Sequence, residues 1–243
     1  MENIVIQPVG KISTPFKQKF AIPRQPNLAN ASGTISMSDV FADENCFKGL
    51  NNFSHLWLIF QFSANVESGW KHSVKAPRLG GNKTLGVFAS RSSFRPNHMG
   101  MSVVKNKGWR KQNTQLLLDV EGVDLLDNTP ILDIKPYIPY ADAIENSSAL
   151  LENGYAIDEP KTLTISFSSH AMASLPKIEN LYSGFQSLVE AVLTQDPRPA
   201  YKKKRTEDPK EYRVQLYDFD VHWRIINAQI YVEKFTRLAS PQA

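Results

Sequence analysis

Four cationic side chains, Arg78, Lys83, Arg91 and Arg95, fall within one glycine-containing stretch, RLGGNKTLGVFASRSSFRPNHMG, which runs from Arg78 to Gly100. Guanidinium and ammonium groups beside glycine-rich turns, where backbone N–H donors are free, suit an anionic ligand. The apolar run Leu85 to Ala89 predicts a buried strand. Gly80-Gly81-Asn82 before it and Arg95-Pro96-Asn97 after it read as turns. The charge pattern extends beyond the stretch. No carboxylate occurs between Glu67 and Asp119, whereas ten Lys or Arg do: Lys71, Lys75, Arg78, Lys83, Arg91, Arg95, Lys105, Lys107, Arg110 and Lys111. Such a surface attracts a polyanion, nucleic acid above all. The plainer alternative is a solvated basic face whose counter-charges come from elsewhere in the fold.

Other residues could add to this chemistry. In Pro23-Arg24-Gln25-Pro26-Asn27, two prolines fix the backbone around Arg24 and Gln25, so their polar groups are presented with little entropy left to lose. The same segment could equally be a rigid crossover. Trp70 and His72 lie among the cations, as base stacking requires, although a loop tryptophan can also plug a core. His55 is read as a core histidine, because no second His or Cys stands at metal spacing. Asp119, Glu121, Asp124, Asp127 and Asp133 offer a metal or acid–base set. Strand alternation would scatter them over two faces, so no metal site is expected. Neither a P-loop, a strand-linked GxGxxG, HExxH nor GxSxG is present.

The elements that must position these groups are short. Ile4 to Ile12, Gly33 to Met37, Phe53 to Phe62, Met101 to Val104, Gln115 to Val120 and Ile131 to Ile134 read as strands, and Phe53 to Phe62 is apolar enough to be central. Lys105 to Gln112 reads as a basic turn, and Asp39 to Lys48 as a short helix capped by Ser38. Strands at this spacing argue for a closed or sandwiched β domain. Ser13 to Leu28 has neither period and is long enough to be functional. After Asp142 the composition changes. Ala143 to Pro160 reads as a linker, Leu163 to Phe167 as a strand, Glu179 to Thr194 as one amphipathic helix, and Tyr212 to Ile226 and Gln229 to Phe235 as hairpin strands. The expected architecture is therefore mainly β, with a small α+β domain at the C-terminal side, divided as 1–142 and 143–243.

The chain has 243 residues and a net charge of +4. That charge is uneven: residues 1–140 carry 16 Lys/Arg against 10 Asp/Glu, and residues 141–243 carry 12 against 14. Polyanion binding is thus expected of the first part. Cys46 is the only cysteine, which excludes an intrachain disulfide and a Cys-based zinc centre. No run approaches the roughly 20 apolar residues of a membrane span, and MENIVIQPVGKI lacks the build of a signal peptide. A soluble, cytoplasmic protein is expected.

Four motifs in order, KFAIPRQPNL, LNNFSHLWLIFQF, PRLGGNKTLGVFASRSSFRPNHMGMS and DLLDNTPILDIKPYIPYAD, resemble the TsaA-like family of bacterial tRNA (N6-threonylcarbamoyladenosine) methyltransferases. The likeness covers about residues 3–142. The segments QDPRPAY (195–201) and VHWR (221–224) resemble the extra C-terminal domain of the bacterial members. This resemblance implies a single-sheet β-barrel N-terminal domain, a homodimer, and S-adenosyl-L-methionine as the methyl donor. The implied acceptor is N6 of the modified adenosine beside the anticodon. It further implies that Gln25, Pro26, Asn27, Ser63, Ala64, Arg91, Met101, Asp124, Leu125, Leu126 and Asp127 contact the cofactor. Related sequences commonly carry His where Ser63 stands, so the expected contact there is through backbone. No side-chain base is implied. Lys71, Lys75, Arg78, Lys83, Arg95, Lys105 and Lys107 are the candidates for tRNA phosphates. Two other classes compete: a non-catalytic RNA-binding barrel, and a metal-dependent hydrolase built on the carboxylates.

Overall fold

A computed structural model of the chain describes residues 4–75, 84–144, 162–203 and 205–239. The chain order is β1 (Gly10–Ser13), β2 (Ser32–Met37), β3 (His55–Gln61), β4 (Ser73–Lys75), β5 (Thr84–Gly86), β6 (Met99–Gln112), β7 (Gln115–Glu121) and β8 (Thr129–Pro136). Strict alternation marks β3, where Leu56, Leu58 and Phe60 are buried and Trp57 and Ile59 face outward, as the period of two requires. Six strands close an all-antiparallel barrel in the order β1-β2-β7-β6-β3-β8. Closure removes both sheet edges. Ile12, Ile35, Leu58, Leu118 and Ile131, all buried, fill the inside.

Several elements differ from expectation. Leu85 to Ala89 is not a buried strand: β5 is three residues long and pairs only with β4, and Val87–Ala89 is a 3-10 turn with Phe88 80% exposed. An apolar run indicated burial, but only Val87 of it reaches the interior. Lys105 to Gln112 is no turn either. It continues β6, whose register shift between Asn106 and Gly108 lets the strand keep pairing with β7 to the hairpin at Asn113. Ile4 to Ile6 stay exposed outside β1. Asp39 to Lys48 forms two 3-10 turns, and the Ser38 hydroxyl donates to the Val9 carbonyl instead of capping.

Beyond the short helix α1 (Pro139–Asp142) come β9 (Ile165–Phe167), α2 (Ser169–Leu181), α3 (Phe185–Leu193), β10 (Asp208–Leu216), β11 (Phe219–Ile226) and β12 (Gln229–Arg237). The single helix expected over Glu179 to Thr194 is two helices, because Gly184 (φ 81°) breaks the chain after Tyr182. Their apolar faces cover a four-stranded sheet, β10-β11-β12-β9, in which β9 runs parallel to β12. Buried Trp223 stacks on Tyr212 at 4.8 Å. Buried Arg198, 1% exposed, is held bidentately by Asp196 at 2.8 and 2.9 Å. Most of the expected linker, from residue 145 on, lies outside the described residues.

The two units meet at the aperiodic segment Ser13 to Leu28. A bridge pairs Phe16 with Leu216, the Tyr217 amide donates to the Pro15 carbonyl, and the Gln195 side-chain amide donates to the Leu28 carbonyl. From the barrel side, Asp127 accepts from the Thr14 amide at 2.8 Å and pairs with Lys17 at 2.7 Å. A segment with no ladder of its own is thus fixed at both ends by its neighbours.

Candidate active site

A cavity of about 880 Å³ opens beside the β3–β6 seam. Four segments far apart in sequence bound it: the Pro-rich loop with Gln25 and Pro26, the end of β3 with Ser63 and Ala64, the turn bearing Arg91, and the turn Asp124 to Leu126. The floor is apolar. Trp57 and Ile59 from the outer face of β3 and Met101 from the outer face of β6 lie along it, which accounts for the apolar character of β3 on both faces. Gly100 makes room for the aromatic wall, because a Cβ there would stand 2.4 Å from the Phe60 ring. Phe60 and Phe62 accordingly meet edge to face at 5.1 Å.

The polar groups are few and fixed. Arg91 donates from Nη1 to Gln25 Oε1, tying the turn to the Pro-rich loop. Asp124 accepts from the Ser102 hydroxyl at 2.7 Å. Burial pushes the Asp124 carboxyl up from 3.8 to about 6, against the opposing pull of Ser102, its own backbone N–H and Arg91. Lys19 donates to the Ala64 carbonyl at 2.7 Å and to Asn65 Oδ1 at 2.6 Å, clamping the end of β3. Arg95 donates from Nη1 to the carbonyls of Ser90 (2.6 Å) and Val87 (3.3 Å) and so holds the turn beneath Arg91.

Of the expected cofactor residues, Gln25, Pro26, Ser63, Ala64, Arg91, Met101, Asp124, Leu125 and Leu126 line this one cavity. Asn27 and Asp127 stand behind it. Asn27, at φ 63°, donates from its backbone to Gly122 and from its side chain to the Val103 carbonyl, pinning the loop. Asp127 is taken up by Thr14, Lys17 and Asn128. Lys19 and Ser102 are cavity residues that the sequence reading missed. Ser102 carried a usable signal, being the one hydroxyl in the expected apolar strand Met101 to Val104; Lys19 carried none.

The other carboxylates are dispersed. Asp119 pairs with Arg110 and accepts from Thr34, Glu121 pairs with Lys105 and Lys107, and Asp133 accepts from the Ile134 amide. Among the described residues no three His, Cys, Asp or Glu cluster as a metal would require. These pairs also resolve the charge pattern in part. Lys105, Lys107, Arg110 and Lys111 find acids outside the acid-free run, Lys111 on Glu44 at 2.9 Å. Lys71 and Lys75 make no ion pair among the described residues; Lys71 instead sits 4.6 Å over the Phe94 ring. Arg78 and Lys83 lie outside the described residues. His55 bonds Ser54 at 3.0 Å and packs edge-on to Tyr137.

The chain resembles known proteins along almost its whole length. Residues 11–143 match the tRNA-methyltransferase O N-terminal domain and residues 160–238 the TrmO C-terminal domain. A tRNA (adenine(37)-N6)-methyltransferase of Escherichia coli (strain K12) is 40% identical over 94% of this chain and 96% of its own. A putative S-adenosylmethionine-dependent methyltransferase, RcsF, of Pseudomonas aeruginosa is 43% identical over 90% of this chain and 91% of its own. A crystal structure of TrmO from Pseudomonas aeruginosa superposes with a TM-score of 0.77 at 35% identity, covering 97% of this chain and all of that one. With both domains matched in order and a shared fold, the chain belongs to the tRNA-methyltransferase O family.

Proposed function

We propose that this protein is a tRNA (adenine(37)-N6)-methyltransferase that uses S-adenosyl-L-methionine to methylate N6 of threonylcarbamoyladenosine beside the anticodon. The observation that carries the reading is the convergence of Gln25, Arg91 and Asp124, from three separate segments of the sequence, on one apolar-floored cavity. Its donor set fits the cofactor. A buried carboxylate suits an ammonium or a ribose diol, a guanidinium suits an α-carboxylate, and an aromatic and aliphatic floor suits a purine. When bound, S-adenosylmethionine supplies a sulfonium methyl that a nitrogen can displace in line.

The residues have distinct parts in this reading. Arg91 is the better partner for a carboxylate than Arg95, whose Nη1 already serves two backbone carbonyls. Asp124 holds the ammonium or the ribose hydroxyls with the oxygen that Ser102 leaves open. Asn27 and Asp127 act from behind, fixing the Pro-rich loop. Most of the rate then comes from alignment, which can supply roughly 7–11 kcal/mol when reacting atoms are held at attack distance. Lys71, Lys75, Arg78, Lys83, Arg95, Lys105 and Lys107 are assigned to tRNA phosphates; Lys105 and Lys107 share one carboxylate, which leaves a net positive charge there. Residues 1–142 form the catalytic domain and 143–243 the C-terminal domain. The protein works in the cytoplasm as a homodimer whose second subunit closes over the cavity, on whose floor Met101 is left 58% exposed in the single chain. Among the described residues no helix is long and apolar enough to cross a membrane.

Two measurements test this: calorimetric titration with S-adenosylmethionine, and mass analysis of tRNA nucleosides from a strain lacking the gene, with and without the restored chain. Binding together with a restored N6-methyl group is expected. Cofactor binding absent and methyl content unchanged would overturn the reading. Salt-sensitive RNA binding without cofactor binding would instead establish the non-catalytic barrel.

A further inference from the structure

The cavity wall continues outward into a strip of exposed rings and of ammonium groups that make no ion pair among the described residues. Trp70, 46% exposed, lies against His72 with ring centroids 4.3 Å apart. Lys71 covers the Phe94 ring at 4.6 Å. Phe88, 80% exposed, follows on the turn after β5. This strip is anchored. The Lys71 amide donates to the Phe94 carbonyl at 3.1 Å, the Val87 amide to the His72 carbonyl at 2.9 Å, and β4 pairs with β5. Arg95 holds Val87 and Ser90 from the cavity side, and Ser90, Arg91, Ser93 and Arg95 themselves line the cavity. The Trp70 and Phe88 rings are thus held open to solvent on an anchored strip.

We propose that Trp70 and its neighbours Lys71 and Phe88 form a stacking platform for an unpaired RNA base adjoining the adenosine in the cavity, with Lys71 and Lys75 taking the flanking phosphates. The inference rests on the reading of the protein as a tRNA methyltransferase and adds how the loop is gripped. Three features favour single-stranded RNA. Every base has a face that stacks on an aromatic ring, so a platform of this kind serves a splayed loop. No carboxylate lies in the sequence from residue 68 to residue 118, and Lys71 and Lys75 make no ion pair among the described residues. An isologous contact centred on this strip would set these lysines against their own copies, like charge on like. An anionic strand removes that conflict.

The experiment uses the full chain, a 17-nucleotide anticodon stem-loop RNA, and S-adenosylhomocysteine as a separate probe of the cavity. Trp70→Ala is expected to weaken RNA binding about 5- to 150-fold, and Trp70→Phe to keep most of it. The slope of log Kd against log salt should stay unchanged in both, whereas Lys71→Ala with Lys75→Ala should flatten it by about 1.4. S-adenosylhomocysteine affinity should not move in any of these variants, since Trp70, Lys71 and Lys75 do not line the cavity. RNA affinity within twofold of wild type in Trp70→Ala would overturn the platform while leaving the enzyme reading intact. A loss of self-association instead of RNA binding would also overturn it and assign the strip to a second copy. Wild-type protein that binds S-adenosylhomocysteine but no RNA would overturn the platform and the tRNA reading together.

Discussion

Replacing Asp124 by Asn removes a carboxylate that the fold holds at a cost, and the structure sets the size and sign of the effect. Burial raises the Asp124 carboxyl from 3.8 to about 6, and each unit is worth about 1.4 kcal/mol of differential interaction. The folded state binds this proton more tightly than the unfolded chain does. Stability therefore falls as pH rises between the two values and levels off above about 6. Integrated over that window, the cost is roughly 1 kcal/mol at pH 4.5 and roughly 3 kcal/mol at pH 7. Asn has nearly the same shape, and its carbonyl can still accept from Ser102, so the variant keeps the packing and loses the titration. All other ionisable groups cancel in the difference between the two proteins. Urea unfolding from pH 4.5 to 8 should show Asp124→Asn gaining on wild type by roughly 2 kcal/mol between pH 4.5 and 7, or about 4–8 °C in melting temperature. Affinity for S-adenosylmethionine should drop in the same variant, the exchange of stability for function expected of a strained site. A stability difference that is flat with pH, or one that moves the other way, would refute the reasoning.

Other perturbations probe the remaining contacts. Arg91→Ala should weaken S-adenosylmethionine about 10- to 100-fold by calorimetry, the weight of a charge-assisted hydrogen bond; Arg91→Lys should not restore it, because an ammonium lacks the planar fork. Gly122→Ala places a Cβ 2.2 Å from Asn27 Oδ1 on a backbone at φ 85°, so it should cost about 2 kcal/mol or more and loosen the Pro-rich loop to proteolysis. Gly86→Ala, where a Cβ meets nothing within 4 Å, should stay within about 0.5 kcal/mol of wild type in the same unfolding assay. Arg198→Ala leaves Asp196 buried without its bidentate partner and should destabilise the chain by about 3–5 kcal/mol in chemical denaturation.

Much of this site was legible before any coordinates, though by two different routes. Local chemistry marked the rigid Pro23 to Asn27 loop, the cations around Arg91 and the aspartates near Asp124 as groups of interest. Resemblance of motifs then joined them, because residues a hundred positions apart carry no local sign of meeting. The same local logic failed where a neighbour rather than the segment decides the outcome. Leu85 to Ala89 has the composition of a buried strand, yet only Val87 finds an interior to enter, and Phe88 is left in solvent. Lys105 to Gln112 has the charge density of a turn, yet β7 supplies a partner for every step past the register shift at Gly108.

What the sequence determined by itself was the alphabet of the site and the alternation that makes strands, since both depend on side chains and their nearest neighbours along the chain. Tertiary structure decided which charges remain available and which face outward. Glu121, Asp119 and Glu44 reach across the sheet and the turns to neutralise Lys105, Arg110 and Lys111, while Lys71 and Lys75 make no ion pair among the described residues and Arg91 acts on Asp124 only across the cavity. Asp124 and Asp127 differ by three positions and share a composition, yet one is desolvated beside Ser102 and the other is spent on Thr14 and Lys17. Barrel closure makes that distinction, because it fixes which side of a turn looks into the cavity and which looks back at the chain.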